Sequence, residues 1–277
     1  MHRLFREVRF SINPFIEGAD LGANPFASRP AGSGLALFLA LGVHLHHSVD
    51  SDTGFVMNVC EIDKVVRREA VPLWNQYIQE AYRRGRHVDW LALADLLTKT
   101  EQMLCRGLAP CTLDKLSLRL NPFRIIAMIS DAPGLLYFSE TFEFVAMHKL
   151  WNPRWTDEQN FEVFGKCANP SGHGHNYRIE VTVTVHEPGP FSSSHFEAVV
   201  DQEVIQRLDH KNLNQDVVHF RSAIPTIENL AQYTWDLLKG RFEHADLLCV
   251  TVWESDRTSC AYYGTERSLS PDSEKGL

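Results

Sequence analysis

Cys167, His173 and His175 fall within one short segment, CANPSGHGHNY. Side chains at i and i+2 leave a β-strand on the same face, so His173 and His175 can address one ion. The flank reads as a strand: Tyr177, Ile179, Val181, Val183 and Val185 alternate with Arg178, Glu180, Thr182 and Thr184. Gly174 is expected to leave the opposite face open. Cys167 lies just upstream, in a turn-rich run of Asn169, Pro170, Ser171 and Gly172. A catalytic zinc site needs a third protein ligand and one open position. His148, in FEFVAMHKL, continues the face of Phe142, Phe144 and Ala146 on a second predicted strand. Three neutral imidazoles suit zinc, and they also suit iron, copper or nickel. Against this stand two plain alternatives: HxH pairs arise by chance, and a buried thiol is usually inert.

The segments FVAMHKL, FGKCANPSGHGHNYRIEVTV, RLDHKNLN, PTIENLAQYTWDLL and VTVWES occur in this order over roughly residues 137–265. Together they resemble the 6-pyruvoyl-tetrahydropterin synthase family and its 6-carboxy-tetrahydropterin synthase relatives, which have the tunnelling fold (T-fold). The resemblance implies an α+β fold of antiparallel four-stranded sheets, each with two helices on one face, assembling into barrels. It implies that His148, His173 and His175 hold Zn2+ and that Cys167 is a general base. It also implies that Asp209 and His210 complete the acid–base set, that Thr226 and Glu228 line the pterin pocket, and that Glu254 anchors the pterin ring. The implied partner is a small-molecule pterin triphosphate, bound in composite sites of a homo-oligomer.

These residue types fit that chemistry. A Lewis-acidic metal can bind vicinal hydroxyls and ease removal of neighbouring protons. A base that works near neutrality is then needed, and a cysteine beside a cation can have its pKa lowered toward that range. Aspartate beside histidine can tune a second acid–base group, and a carboxylate can accept two hydrogen bonds from a pterin edge. Lys149, Arg154 and Lys166 could meet a triphosphate, although surface cations are usually just solvated. Taken singly, Asp209 and His210 could be a polar helix end, Thr226 an N-cap, Glu228 a first-turn charge and Glu254 a solvated strand end.

At 277 residues the chain predicts about two domains. The 44% hydrophobic content is ample for cores, and a formal net charge of −8 argues against a nucleic-acid surface. The apolar run 35–45 is too short to span a bilayer, so no membrane partner is expected. Six scattered cysteines without a paired spacing argue against a disulfide framework and predict a cytoplasmic setting.

The first half repeats the order of elements of the second. REVRFSINPF and LALFLALGVHL read as strands, VDSDTGFVMNV as a turn and third strand, 61–85 and 88–104 as helices, and LDKLSLRLN with FRIIAMIS as a closing hairpin. The second half predicts strands at 137–148, 177–186, 196–201, 247–254 and 259–264, and helices at 201–208 and 226–239. The domains expected are a degenerate, non-catalytic T-fold module over 1–132, a catalytic module over 133–265 and a disordered tail over 266–277. The first copy carries none of the chemistry, with Asn121 near the place of Glu254. Its His44 and His46, also two apart, are read as solvated or structural.

The expected reaction is conversion of 7,8-dihydroneopterin triphosphate to 6-pyruvoyl-tetrahydropterin with triphosphate release. The alternatives are a 6-carboxy product, as in the queuosine pathway, or side-chain cleavage to a hydroxymethyl pterin. From another class stands a non-catalytic pterin- or zinc-binding scaffold, which would need the glutamate but not the acid–base set.

Overall fold

The computed structural model describes residues 1–16, 26–30, 34–132 and 134–264. The predicted tail over 266–277 lies outside the described residues. The chain divides into two compact units: Met1–Phe138 with Val185–Phe191, and Ser139–Thr184 with Ser192–Leu277. No helix among the described residues is long and apolar enough to cross a membrane.

In the first unit, β1 (His2–Ile12), β2 (Leu37–His47), β3 (Thr112–Arg119) and β4 (Arg124–Ile129) lie in chain order. Each neighbouring pair is antiparallel. Between β2 and β3 run α1 (Val59–Arg83) and α2 (Trp90–Gly107), which pack on each other and on this sheet. Alternate residues Val8, Phe10 and Ile12 are buried, as one covered face of a strand requires. On α2, Leu93, Leu96, Leu97, Thr100 and Leu104 form the buried stripe at helical spacing. Trp74 of α1 donates its indole N–H to Thr100 Oγ1 at 2.9 Å.

A charged knot lies inside this unit. Arg67 Nε donates to Asp63 Oδ2 at 2.7 Å and Arg6 to Asp63 Oδ1 at 3.3 Å, with Asp63 fully buried. His46 pairs with Asp114, and the His44 ring packs on Phe5 at 4.6 Å. Burial, and after it the charge of Lys115, lowers the His44 pKa to about 4. Asn121 caps a turn by accepting from the amides of Phe123 and Arg124.

The predicted third strand in VDSDTGFVMNV does not form. Asp50 Oδ1 instead accepts from the amides of Asp52 and Thr53 and folds the segment into a turn. Asn58 then serves as N-cap of α1. Local side-chain acceptors outcompete the β-propensity of Phe55 and Val56 here.

The second unit holds most of β5 (Leu136–His148), then α3 (Asp157–Phe164), a 3-10 turn at Gly165–Ala168 and β6 (His173–Val185). Next come α4 (Ser193–Val200), α5 (Gln206–Leu208), β7 (Lys211–Asn212) and α6 (Leu213–Asp216). The last elements are α7 (Ile227–Leu238), β8 (Ala245–Ser255) and β9 (Thr258–Tyr262). Its strand order is β5-β6-β8-β9, with β7 pairing parallel to the end of β5 and β8–β9 antiparallel. Helix α7 packs on β8 and β9 through Ile227, Leu230, Ala231, Thr234, Trp235 and Leu238. The fold is α+β, with sheets covered by helices.

Elements of the second unit also differ from expectation. Residues 196–201, predicted as a strand, belong to α4 and the turn after it. The Ser192 hydroxyl accepts from the His195 amide at 3.2 Å and starts a helix that buries Phe196 and Val200. Helix α3 was not predicted, although Thr156 and Gln159 make a reciprocal capping box at its start.

Candidate metal centre

His148 is the last residue of β5, and His173 opens β6. The alternation along β5 that buries Phe144 and Ala146 also buries His148, which is 2% exposed. The turn before β6 brings the two strand ends together. Gly172 has φ +68°, and a Cβ there would lie 2.9 Å from the His148 carbonyl oxygen. The tight glycine is therefore Gly172. At Gly174 a Cβ would make only an ordinary contact, 3.7 Å from the Ala146 carbonyl oxygen.

The structure brings His148, His173 and His175 together, with one ring nitrogen from each within 4.8 Å of the others. His148 Nε2 stands 3.1 Å from His173 Nε2. Tetrahedral ligands at zinc–nitrogen bond lengths would be about 3.3 Å apart. His148 Nδ1 donates to the Pro225 carbonyl at 2.8 Å, and the Tyr177 hydroxyl lies 3.2 Å from the same nitrogen. These partners fix the tautomer and turn Nε2, as a lone pair, toward the cluster. His175 Nε2 and His173 Nδ1 are buried without a hydrogen-bond partner. A cation between the rings would satisfy His175 Nε2, so the donor set fits a metal ion.

The electrostatics favour the ligating form. Burial lowers the His148 pKa to about 4, a shift that the Pro225 contact opposes and the other two imidazoles reinforce. Burial, and then His175, lowers that of His173. Neutral imidazole is the state that binds metal.

Cys167 is half-buried in the 3-10 turn after α3, and its carbonyl accepts from the Leu150 amide at 2.9 Å. Burial pushes its thiol pKa up, and the Glu254 carboxylate pushes it further. The protein atoms of one chain thus act against the lowered thiol pKa that the chemistry would favour. The same Glu254 charge raises the pKa of Tyr177, after burial, and opposes the lowering at His173. Glu254 accordingly sits within electrostatic reach of the thiol, the tyrosine and a candidate ligand.

Asp209 and His210 form a separate anchored pair. Asp209 Oδ1 accepts from the Val145 amide at 2.9 Å, and Oδ2 lies 2.8 Å from His210 Nδ1. The His210 amide donates to the Val145 carbonyl at 2.6 Å, and His210 adopts φ +56°. The Val145 amide first, then His210, hold the Asp209 carboxyl below its ordinary pKa. The His210 side chain is 80% exposed. Asp209 also lines a cavity with Glu143, Val145, Asn176, Arg178 and Trp253.

Thr226 is the N-cap of α7, its hydroxyl accepting from the Asn229 amide at 3.3 Å. Glu228 is exposed in the first helical turn, and its charge is felt at Cys260. Lys149 places its ammonium 3.7 Å from the Trp151 ring centre. Two contributors carried no sequence signal: the Pro225 carbonyl is a backbone atom, and Tyr177 reads simply as a core strand residue.

A family model described as 6-pyruvoyl tetrahydropterin synthase matches residues 137–265, which contain every residue of this cluster. Over 132 residues the chain is 39% identical to human 6-pyruvoyl tetrahydrobiopterin synthase, covering 46% of this chain and 90% of the human protein. It is 29% identical over 161 residues to 6-carboxy-5,6,7,8-tetrahydropterin synthase of Aquifex aeolicus (strain VF5), covering 45% and 95% of the two chains. Among solved structures, Caenorhabditis elegans 6-pyruvoyl tetrahydropterin synthase aligns at 30% identity with a TM-score of 0.45, over 47% of this chain and 96% of that one. With the imidazole cluster, the thiol and the glutamate all inside the matched stretch, this chain belongs to the 6-pyruvoyl tetrahydropterin synthase family.

Proposed function

We propose that the chain is a zinc-dependent lyase that converts 7,8-dihydroneopterin triphosphate to 6-pyruvoyl-tetrahydropterin and triphosphate. The observation that carries this reading is the convergence of His148, His173 and His175 beside Cys167 and Glu254. Relatives named 6-pyruvoyl tetrahydrobiopterin synthase support it.

His148, His173 and His175 would hold the ion. Bound there, zinc would supply Lewis acidity to the two side-chain hydroxyls and so acidify their neighbouring protons. Glu254 accepts hydrogen bonds from the pterin amino and ring N–H groups and fixes the ring. Cys167, as thiolate, takes a carbon-bound proton from the side chain. His210, oriented by Asp209, returns or removes the second proton. The side chain is oxidised as the ring is reduced, through keto–enol shifts, so no external redox partner enters. Triphosphate leaves as the enol forms.

His210 stands exposed on its own anchor, which suits a role at a neighbouring chain's Cys167. The assembly proposed is therefore a homo-oligomer whose C-terminal modules share composite sites. The N-terminal module is its non-catalytic T-fold companion.

The 6-carboxy reading draws on the Aquifex relative. One experiment separates the two. Zinc-loaded protein is incubated with 7,8-dihydroneopterin triphosphate, and the pterin product is identified by mass. The 6-pyruvoyl product, formed far more slowly with Cys167→Ala, supports the proposal. A 6-carboxy or hydroxymethyl product replaces it with the corresponding alternative, and unchanged substrate leaves a binding scaffold.

A further inference from the structure

Helix α3 carries the chain from His148 to Cys167, and it is docked in an unusual way. Its one buried side chain is Asn160, fully inaccessible, while Phe161 and Val163 are 46% and 61% exposed. A surface helix ordinarily docks through an apolar stripe. Here the buried group is a carboxamide, flanked by ring contacts of Phe161 on Trp151 and Phe164 on Trp155.

Asn160 uses both ends of its amide. Its Oδ1 accepts from the Asn152 amide at 2.7 Å. Its Nδ2 donates to the carbonyls of Asn152 and Thr156, both at 3.0 Å, with Trp155 O at 3.5 Å. Asn152 is itself buried, and its Oδ1 accepts from the Arg154 amide at 3.0 Å. The network thus clips α3 to the segment that leaves β5 after His148. Three residues beyond the end of α3, past Gly165 at φ +52°, stands Cys167, whose carbonyl returns to Leu150.

We propose that Asn160 is a positioning residue for Cys167: its buried carboxamide docks the helix that carries the thiol onto the strand exit that carries His148. The inference rests on the proposed function only in treating Cys167 as the base. Asn160 touches neither substrate nor metal ligand, and it acts by holding the thiol's turn in place. Loss of the carboxamide leaves the buried Asn152 amide without its protein partner, while the Asn152 carbonyl keeps the Trp155 amide at 3.1 Å.

The test uses the full-length, zinc-loaded protein and its Asn160→Ala variant. Iodoacetamide labelling is followed peptide by peptide, with Cys105 and Cys260 as internal controls. Asn160→Ala is expected to change the labelling rate of Cys167 by about tenfold while leaving the two control cysteines unchanged. Uniform acceleration at all three would mean global loosening, and an unchanged Cys167 rate would mean no coupling. Either result overturns the proposal. This arm needs no substrate, so it stands even if the wild type makes no product and the function reading falls. With turnover, Asn160→Ala should lower kcat about 10- to 100-fold with zinc content and KM held. In a Cys167→Ala background the same substitution should cost nothing more. Additive losses in the double variant would overturn the proposal.

Discussion

His148 Nε2 stands 3.1 Å from His173 Nε2, while His148 Nδ1 is committed to the carbonyl of Pro225. Two imidazole nitrogens at that separation need a proton or a cation between them. Burial lowers the pKa of both imidazoles and so disfavours the proton. The cluster, built from the end of one strand and the start of the next, therefore fits a cation.

Metal occupancy is the first consequence. Wild-type protein should carry about one zinc ion per chain by elemental analysis, and His173→Ala or His175→Ala should carry about a tenth of that or less. Zinc at about 100 times its Kd should raise stability by about 2.7 kcal/mol in the wild type alone, read as a shift in Tm. Equal zinc binding in the variants would remove the cluster as the site.

Cys167 should be separable from the metal. Cys167→Ala is expected to lower kcat by about 10²- to 10⁴-fold, the usual worth of a general base, with zinc content unchanged. A variant that lost its zinc would instead make the thiol a ligand.

Glu254 couples to the thiol with a definite sign. Its carboxylate adds to burial in raising the Cys167 pKa. Glu254→Gln removes the charge and leaves burial in place, so the pH profile of Cys167 alkylation should move to lower pH. If Glu254 also grips the pterin, KM should rise about 10- to 100-fold in the same variant, from one lost charge-assisted pair of hydrogen bonds. A profile that moved to higher pH would contradict the electrostatic relation.

Stability of the first unit draws on a different cluster. Asp63 is fully buried against Arg67 and Arg6. Asp63→Ala should destabilise the protein by about 3–5 kcal/mol, because it leaves guanidinium charge inside without its counter-ion. Urea denaturation followed by tryptophan fluorescence reads this directly, since Trp74 lies in the same helix. A change below about 1 kcal/mol would show that the arginines' other contacts suffice.

Much of the site was legible because strand periodicity transmits chemistry. The HxH spacing and the even face of β5 place three imidazoles together once the strands pair, and both patterns are visible in the residues. The support around them was less legible. Pro225 contributes a carbonyl, which has no residue-type signal, and Asn160 looks like any polar helix residue until its burial is known. The wrong strand over 196–201 has a physical cause: Phe196, Val199 and Val200 favour either period over so short a run, and the Ser192 cap decided for helix. The missing strand in VDSDTGFVMNV failed for the converse reason, since Asp50 and Asn58 offered side-chain acceptors to the backbone.

Composite sites make the last prediction. Asp209 and His210 are fixed by three hydrogen bonds to Val145 and to each other, yet His210 projects into solvent. An ordered pair with its imidazole exposed is accessible to groups outside its own chain. If that is the Cys167 of a neighbour, Cys167→Ala and His210→Ala chains should complement each other. Each variant alone would keep only its residual turnover, but a mixed oligomer would contain sites that draw Cys167 from one chain and His210 from the other. Random reassembly of equal amounts should restore about a quarter of wild-type turnover per site. Recovery after co-refolding, measured against each variant refolded alone, reads the result. If both residues of a site came from one chain, no mixture could recover activity.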